Sequence, residues 1–384
     1  MISTESKLGL YSLLTLVLLL LGLEGALRLA GFGFSAPEFR PPPPPCLVLG
    51  ACNGGTGGLF VKKGPELSLR PEYNGWFHEQ SFPALKPAGE FRVFILGGSS
   101  IYNLYGQMEN SYGDAGRRVR VVNLGGNSFG TARLLPVFDE VLGYSPDLVL
   151  IYSGHNEFVD IRLVTDVLRA TPLQRELRAL LRPSRVCQLG ELAVYKTGMR
   201  LMRMRKKRGP GFMRYFSTHK GPDTDRAGVY ALYREYLAAM VKKAAAGKVP
   251  VELATVGYNR LSAPAGPAAA VELHKKGLDL LREGKPEEAL RLLDRALDME
   301  TTPLGANETS NGIVREIAGR YRVPLLDVDA VLAGQAPGGI PGYELFSDQC
   351  HFKDSTFLGE LFRKEIRAAI TAGNRAGPGT AGNR

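Results

Sequence analysis

The amino-acid sequence predicts an α/β fold: a flavodoxin-like three-layer sandwich with a central, mostly parallel five-stranded sheet, an N-terminal transmembrane helix and an inserted helical hairpin. The sheet is predicted from two observations. Five short apolar runs, typical of buried strands, alternate with segments of helical periodicity. Several of these runs end in glycine-containing turns. The runs lie at residues 92–96, 119–124, 148–152, 250–256 and 323–328, and the helical segments include 131–142, 227–246 and 311–321.

The ends of these runs predict where an active site lies. In an open parallel sheet, the loops at the carboxyl ends of the strands build the ligand-binding edge. Four such loops carry polar and glycine residues. They are the segments 97–100, 125–128, 153–157 and 257–260.

The amino-terminal segment, residues 1–31, predicts a membrane anchor. Residues 8–23 are almost entirely apolar, and the small and apolar residues that follow extend the stretch to about 20 residues, enough to cross a bilayer core. Glu24 and Arg28 stand four apart, on one helix face, where they can pair. A cleaved signal peptide is the alternative, but the apolar region is long and no A-x-A site follows it. We therefore expect a single-pass anchor with an extracytoplasmic catalytic domain.

The rest of the chain divides by composition. Residues 32–89 predict a Pro/Gly-rich linker and lead-in, and 90–372 the catalytic domain. Within that domain, 161–222 predict a basic helical insertion, and the tail at 373–384 is expected to be disordered.

Charge and composition restrict the class of protein. Hydrophobic residues make up 44% and charged residues 22% of the chain, as in ordinary globular proteins. The formal net charge is +10, and the densest basic run, at 200–208, suits either anionic lipid headgroups or a solvated loop beside a membrane. No nucleic-acid-binding signature accompanies this run, so we predict no nucleic-acid partner.

Cysteine and histidine usage predicts no cofactor or metal. The chain has 4 cysteines and 5 histidines, without the spacing of a zinc or redox motif. Cys46 and Cys52 are close enough in sequence to bridge in an oxidising compartment, and free thiols are the alternative.

Residues 268–303 predict a helical hairpin with the spacing of one tetratricopeptide repeat. A single repeat cannot bury its own apolar face, so it must dock on the catalytic domain or on a protein partner. A hairpin without a binding role is the alternative. The positions that fit the repeat are Leu273, Gly277, Leu280, Gly284, Ala289, Leu293, Ala296 and Pro303.

Two segments predict nucleophilic catalysis. Gly97 and Gly98 allow a sharp turn directly after a strand, which presents Ser99 at the edge of the sheet. Asp348 precedes His351 by three residues, so one tight turn allows the carboxylate to orient the imidazole as a base for a serine. Ser100 is the alternative nucleophile.

Two further segments predict oxyanion donors, and together the motifs resemble a known family. Asn156 follows Gly154 at the end of the third strand, and Gly125 follows Asn123 at the end of the second. Taken in this order, the motifs resemble the conserved blocks of the SGNH/GDSL hydrolases over roughly residues 90–160 and 225–370. Gly98 departs from the acidic residue that usually precedes the serine. The segment 338–351 and the hairpin resemble a membrane-anchored subgroup with tetratricopeptide repeats.

The resemblance implies a serine esterase. It implies that Ser99, His351 and Asp348 form a triad, and that the Ser99 amide, the Gly125 amide and the Asn156 side chain bind the oxyanion. The implied substrate is an acylated glycan or lipid at the cell envelope. An O-acyltransferase with the same triad and a catalytically idle scaffold are the alternatives.

Ser100 and three further residues near these loops are candidate substrate contacts. His155 is either a contact or a surface histidine. Asn259 and Arg260 are either contacts or capping residues of their loop.

Overall fold

The structure is a computed structural model that describes residues 4–32, 58–108, 118–160, 226–300 and 303–375, with some residues between 181 and 193. The linker with Cys46 and Cys52, the basic run at 200–208 and most of the tail lie outside the described residues. The chain forms two compact units, one of Met1–Gly57 and Val167–His219 and the other of Gly58–Asp166 and Lys220–Arg384.

The first unit contains helix α1 (Thr4–Leu29). Its segment Gly9–Leu29 is long and apolar enough to cross a membrane, as predicted, while the orientation of the anchor stays a prediction. Glu24 pairs with Arg28 at 2.7 Å. The Glu24 carboxylate also accepts hydrogen bonds from the Ser184 hydroxyl at 2.9 Å and the Val186 amide at 3.0 Å.

The second unit begins with an antiparallel sheet that the sequence analysis missed. Its strands β1 (Phe60–Lys63), β2 (Glu66–Leu69) and β3 (Ser81–Pro83) lie in the segment predicted to be a lead-in. Strands of three or four residues are too short to show periodicity. Phe82, which is buried, holds this sheet on the body through edge-to-face contacts with Phe94 and Tyr144.

The second unit is built on the predicted parallel sheet of five strands, which confirms the fold class. The spatial order is β5-β4-β6-β7-β8, and every pairing is parallel. The strands are β4 (Glu90–Gly97), β5 (Arg118–Gly125), β6 (Leu148–Tyr152), β7 (Val251–Ala254) and β8 (Leu325–Leu326). The described helices are α2 (Ser99–Tyr102), α3 (Thr131–Leu142), α4 (Arg226–Ala246), α5 (Ala268–Arg282), α6 (Pro286–Asp298), α7 (Glu308–Tyr321), α8 (Val328–Gln335) and α9 (Thr356–Arg375).

The register of the central strands positions the candidate site. Strands β4, β6 and β7 are buried on both faces, which explains why most of their residues are apolar. Gly97 of β4 pairs with Gly125 of β5 on one side and with Tyr152 of β6 on the other. The loops that follow these three strands therefore leave the sheet at the same level.

Helices α5 and α6 form the predicted hairpin. Gly277 lets the two helices approach closely, since a Cβ there would lie 2.9 Å from the Leu293 side chain. The hairpin docks on its own body: Leu293 packs in one apolar cluster with Ile340 and Leu261, and Asp294 pairs with Arg260 at 2.9 Å. A tetratricopeptide identity and a protein partner for the hairpin stay predictions.

Candidate active site

Ser99 lies at the first residue of α2, two residues after the end of β4. The two preceding glycines are required by close packing. A Cβ at Gly97 would lie 2.5 Å from the Tyr152 carbonyl oxygen, and one at Gly98 would lie 2.4 Å from Asn156 Nδ2. The absence of an acidic residue before Ser99 thus has a local reason, because any side chain there would displace the Asn156 amide.

The structure brings Ser99, His351 and Asp348 into one hydrogen-bonded chain. Ser99 Oγ lies 2.7 Å from His351 Nε2, across 252 residues of sequence, and His351 Nδ1 lies 2.7 Å from Asp348 Oδ2. A carboxylate at Nδ1 favours the tautomer with a proton on that nitrogen. Nε2 then offers its lone pair to the Ser99 hydroxyl, which is the arrangement that a serine nucleophile needs.

The second oxygen of Asp348 explains why its carboxyl stays ionised. Oδ1 accepts hydrogen bonds from the amides of Cys350 at 2.9 Å and His351 at 2.8 Å. Partial burial on its own would raise the pKa of Asp348, but these amides and the His351 ring together hold that pKa below its ordinary value.

The turn that carries Asp348 and His351 is fixed through its backbone carbonyls. Asn259 donates from its side-chain Nδ2 to the Asp348 carbonyl and from its backbone amide to the Gln349 carbonyl, both at 3.0 Å. The Ser100 hydroxyl donates to the Cys350 carbonyl at 3.3 Å. The turn therefore has little freedom to move the imidazole relative to Ser99.

These contacts correct three sequence-based interpretations. Asn259 and Arg260 are 1% and 4% exposed, so neither is available as a substrate contact, and the capping alternative describes Asn259. Arg260 instead forms buried ion pairs with Asp294 and Asp329. Ser100 is also buried, and its hydroxyl is directed at a carbonyl. The sequence does not indicate whether a polar side chain just after a strand faces the cleft or the interior.

His155 is neither a surface residue nor an accessible contact in this structure. It is 6% exposed, and its Nδ1 accepts a hydrogen bond from the Ala306 amide at 3.1 Å. Burial, helped by the neighbouring His351, lowers the pKa of His155 to about 3. The ring is therefore neutral at physiological pH.

The three predicted oxyanion donors differ in their present partners. The Ser99 amide has no acceptor among the described residues. The Gly125 amide donates to Asn123 Oδ1 at 2.9 Å, and Asn156 Nδ2 donates to the Phe129 carbonyl at 3.0 Å. A substrate oxygen would have to compete for the last two donors, as is common in unliganded sites. Their oxyanion role stays a prediction.

Two buried carboxylates that the sequence analysis missed support the turn at 125–130. Glu157 accepts hydrogen bonds from the Thr131 amide at 3.0 Å and the Ser153 hydroxyl at 2.8 Å. Asp160 accepts one from the Arg133 amide at 3.0 Å. Both cap the first turn of α3 and tie it to the loop that carries Asn156. The sequence signal that could have identified them is a pair of carboxylates three residues apart, the first of which directly follows Asn156.

Glu157 predicts a pH-dependent stability. Burial, only partly offset by the Thr131 hydroxyl, raises its pKa to about 7. A carboxyl group whose pKa is higher in the folded than in the unfolded chain stabilises the protein fully at pH values below its unfolded pKa. This contribution of Glu157 to the unfolding free energy is lost as the pH rises through about 7. Between pH 5 and pH 8, wild type should therefore lose on the order of 2 kcal/mol more unfolding free energy than Glu157→Gln, which cannot ionise. Urea unfolding of the full chain in detergent, followed by Trp76 fluorescence, measures this difference, and equal losses would refute it.

We expect Ser100 to affect catalysis by positioning the site, without taking part in the chemical steps. Ser100→Ala removes the link between the helix that begins at Ser99 and the turn before His351, so kcat should fall about 10-fold with KM unchanged, because small displacements of a base are costly. Steady-state kinetics on p-nitrophenyl acetate measure both constants. A loss as large as that of Ser99→Ala would instead make Ser100 the nucleophile.

The described residues contain one group whose donor atoms could surround a metal ion: Asp348, Cys350 and His351, within 4.8 Å of one another. This group does not fit a metal. Asp348 and His351 already bond to each other, and burial raises the pKa of the Cys350 thiol, which disfavours the thiolate that a metal requires.

Comparisons with known proteins give distant structural similarity alone. The chain matches no family profile and no curated protein. Among solved structures it is similar to an acetyl xylan esterase (12% identity, 72% of this chain and 100% of that chain, TM-score 0.39). It is also similar to a GDSL-like lipase from Bacteroides thetaiotaomicron (12%, 73% and 88%, TM-score 0.37) and to an acetylxylan esterase from Geobacillus stearothermophilus (13%, 73% and 94%, TM-score 0.37).

Proposed function

We propose that this protein is a serine-dependent ester hydrolase of the SGNH/GDSL type that acts on an acylated glycan or lipid at the cell envelope. The observation that carries the proposal is the hydrogen-bonded chain from Ser99 through His351 to Asp348 at the carboxyl edge of the sheet. The candidate anchor in α1 supports a location at a membrane. The side chains of His351 and Asp348 are partly exposed, so an ester can reach them.

The proposed reaction proceeds in two steps. Ser99 Oγ attacks the ester carbonyl carbon while His351 Nε2 takes its proton, and the tetrahedral intermediate then breaks the bond to the alcohol oxygen, which receives that proton. Water next attacks the acyl-Ser99 carbonyl and gives a proton to His351, which returns it to Ser99 Oγ as the acid leaves. The sum is ester plus water to carboxylic acid plus alcohol.

The Ser99 amide is the donor best prepared for the developing oxyanion. It lies at the start of α2 and is not engaged by a described acceptor. A donor placed at the position of the oxyanion contributes about 10²–10³ in rate. The Asn156 side chain would add a second donor after it releases the Phe129 carbonyl.

Labelling with a fluorophosphonate tests the proposal. The full chain in detergent is treated with the reagent, and intact mass is compared for wild type, Ser99→Ala and Ser100→Ala. We expect one adduct on wild type and on Ser100→Ala, none on Ser99→Ala, and turnover of p-nitrophenyl acetate by wild type. Absence of both adduct and turnover from wild type would favour the idle scaffold. Transfer of acetyl to an added sugar alcohol in preference to water would favour the O-acyltransferase.

A further inference from the structure

We propose that the substrate is a glycan ester, whose pyranose rings pack against an aromatic ledge of Trp76, Tyr102 and Tyr105 beside Ser99, in which His78 supports the two tyrosines. This inference rests on the proposed esterase function, and it selects the glycan over the lipid. The ledge consists of side chains from the connection between β2 and β3 and from helix α2, which begins at Ser99, with the residues just after it.

Tyr102 places the ledge next to the nucleophile. It follows Ser99 by three residues in α2, and side chains at that spacing are neighbours on a helix, with Cβ atoms about 5–6 Å apart. Gly125 packs directly against the Tyr102 amide, since a Cβ at Gly125 would lie 2.1 Å from that nitrogen. The Tyr102 backbone thus packs against the predicted oxyanion turn, three residues after Ser99.

His78 joins Tyr102 and Tyr105 into one stack. Its ring lies 3.7 Å from the Tyr102 ring at an interplanar angle of 24°, and 4.1 Å from the Tyr105 ring at 15°. His78 Nε2 also lies 3.0 Å from the Tyr102 carbonyl oxygen. The His78 ring is therefore enclosed between the two tyrosine rings, and all three side chains are half-buried, so the stack reaches the surface.

Trp76, the only tryptophan of the chain, extends the ledge along the turn at 125–130. Asn127 fixes the Trp76 backbone with two hydrogen bonds, from its amide to the Trp76 carbonyl at 3.0 Å and from Nδ2 to the Gly75 carbonyl at 2.9 Å. The neighbouring Phe77 is buried against Phe129 and supplies the packing of this turn. The Trp76 ring also contacts the Phe129 ring, at 6.3 Å between centroids, but it stays half-buried, so part of it faces solvent.

A polar cleft continues from the far end of the ledge. It has a volume of about 330 Å³ and shares Tyr105 with the stack. Its described lining includes Gln80, Arg118 and Arg120 along the edge strand β5, with Glu90 at 3.7 Å from Arg120. Sugar hydroxyls can accept hydrogen bonds from the guanidinium groups of Arg118 and Arg120, whereas an acyl chain cannot.

The chemistry of the ledge fits a pyranose. A sugar ring has an apolar C–H face and a rim of hydroxyl groups, and half-exposed tryptophan and tyrosine side chains match it with a flat apolar face and a polar edge. A lipid ester would instead require a largely apolar pocket that encloses its chain.

Binding to the catalytically inactive full chain tests the ledge independently of the esterase activity. Ser99→Ala in detergent is titrated with an O-acetylated oligosaccharide of four pyranose units while Trp76 fluorescence is recorded. We expect a saturable change in emission. A change with a short-chain glyceride but none with the oligosaccharide, or no change with either, would overturn the proposal even if Ser99 is the nucleophile.

Kinetics of Trp76→Ala supply the second test. Since an aromatic contact contributes about 0.5–1.5 kcal/mol, KM for the acetylated oligosaccharide should rise about 3- to 10-fold in Trp76→Ala. Trp76→Phe should keep most of the affinity. Tyr321→Ala is the matched control, because Tyr321 is a half-buried aromatic at the end of α7, before the start of β8 and away from the catalytic loops. An unchanged KM in Trp76→Ala would contradict the proposal.

Discussion

Replacement of Ser99 by alanine should lower kcat for p-nitrophenyl acetate by about 10⁴–10⁶, because no other hydroxyl among the described residues lies within hydrogen-bond distance of His351 Nε2. The His351 imidazole, at 2.7 Å from Ser99 Oγ, would have no proton to accept from a nucleophile. The substrate-binding surface would be unchanged, so affinity for a non-hydrolysable ester analogue should stay within a factor of two, roughly. Stopped-flow kinetics with isothermal titration measure the two effects separately.

Ser100→Ala is the matched control for this variant, since it removes the neighbouring hydroxyl from the same short helix. The expected loss is about 10-fold, from disturbed positioning alone. If Ser99→Ala kept more than a tenth of the wild-type rate, the nucleophile assignment would be wrong.

Asp348→Asn should lower kcat by about 10⁴ through the wrong histidine tautomer. The carboxylate now accepts two amide hydrogen bonds on Oδ1, from Cys350 and His351. An asparagine would keep its carbonyl oxygen toward these amides, which directs its NH₂ group at His351 Nδ1. That nitrogen would then accept a hydrogen bond, the ring proton would move to Nε2, and the ring could no longer accept the Ser99 proton.

Two measurements check this account. Single-turnover kinetics should show slow acylation, and ¹⁵N spectra of the histidine ring should report a proton on Nε2. Asp354→Asn is the control, because Asp354 is exposed and caps the Thr356 amide at 2.9 Å, close to the turn but outside the triad. A rate for Asp348→Asn within tenfold of wild type would mean that the carboxylate orients the ring without selecting its tautomer.

The sequence by itself determined the features that depend on local order. Buried strands are rich in apolar residues, so the parallel sheet and the approximate positions of its strands were predictable, as was the apolar helix α1. The ends of the strands were not, since the run predicted at 323–328 forms only the two-residue strand Leu325–Leu326. The choice of Ser99, Asp348 and His351 was also made from sequence, because a glycine turn after a strand and a DxxH spacing are local patterns. The structure places their side chains within hydrogen-bond distance.

Only the tertiary structure decided what the remaining polar residues do. Ser100 and Asn259 lie 250 and 89 residues from the carbonyls they hold, and nothing in the local sequence shows such pairings. Histidine and arginine are residue types typical of protein surfaces, yet His155 and Arg260 are both buried and have partners from distant elements. The aromatic ledge likewise joins two segments that are separate in sequence. Periodicity reports which residues face a core, while the partner of a buried polar group depends on the packing of the whole sheet.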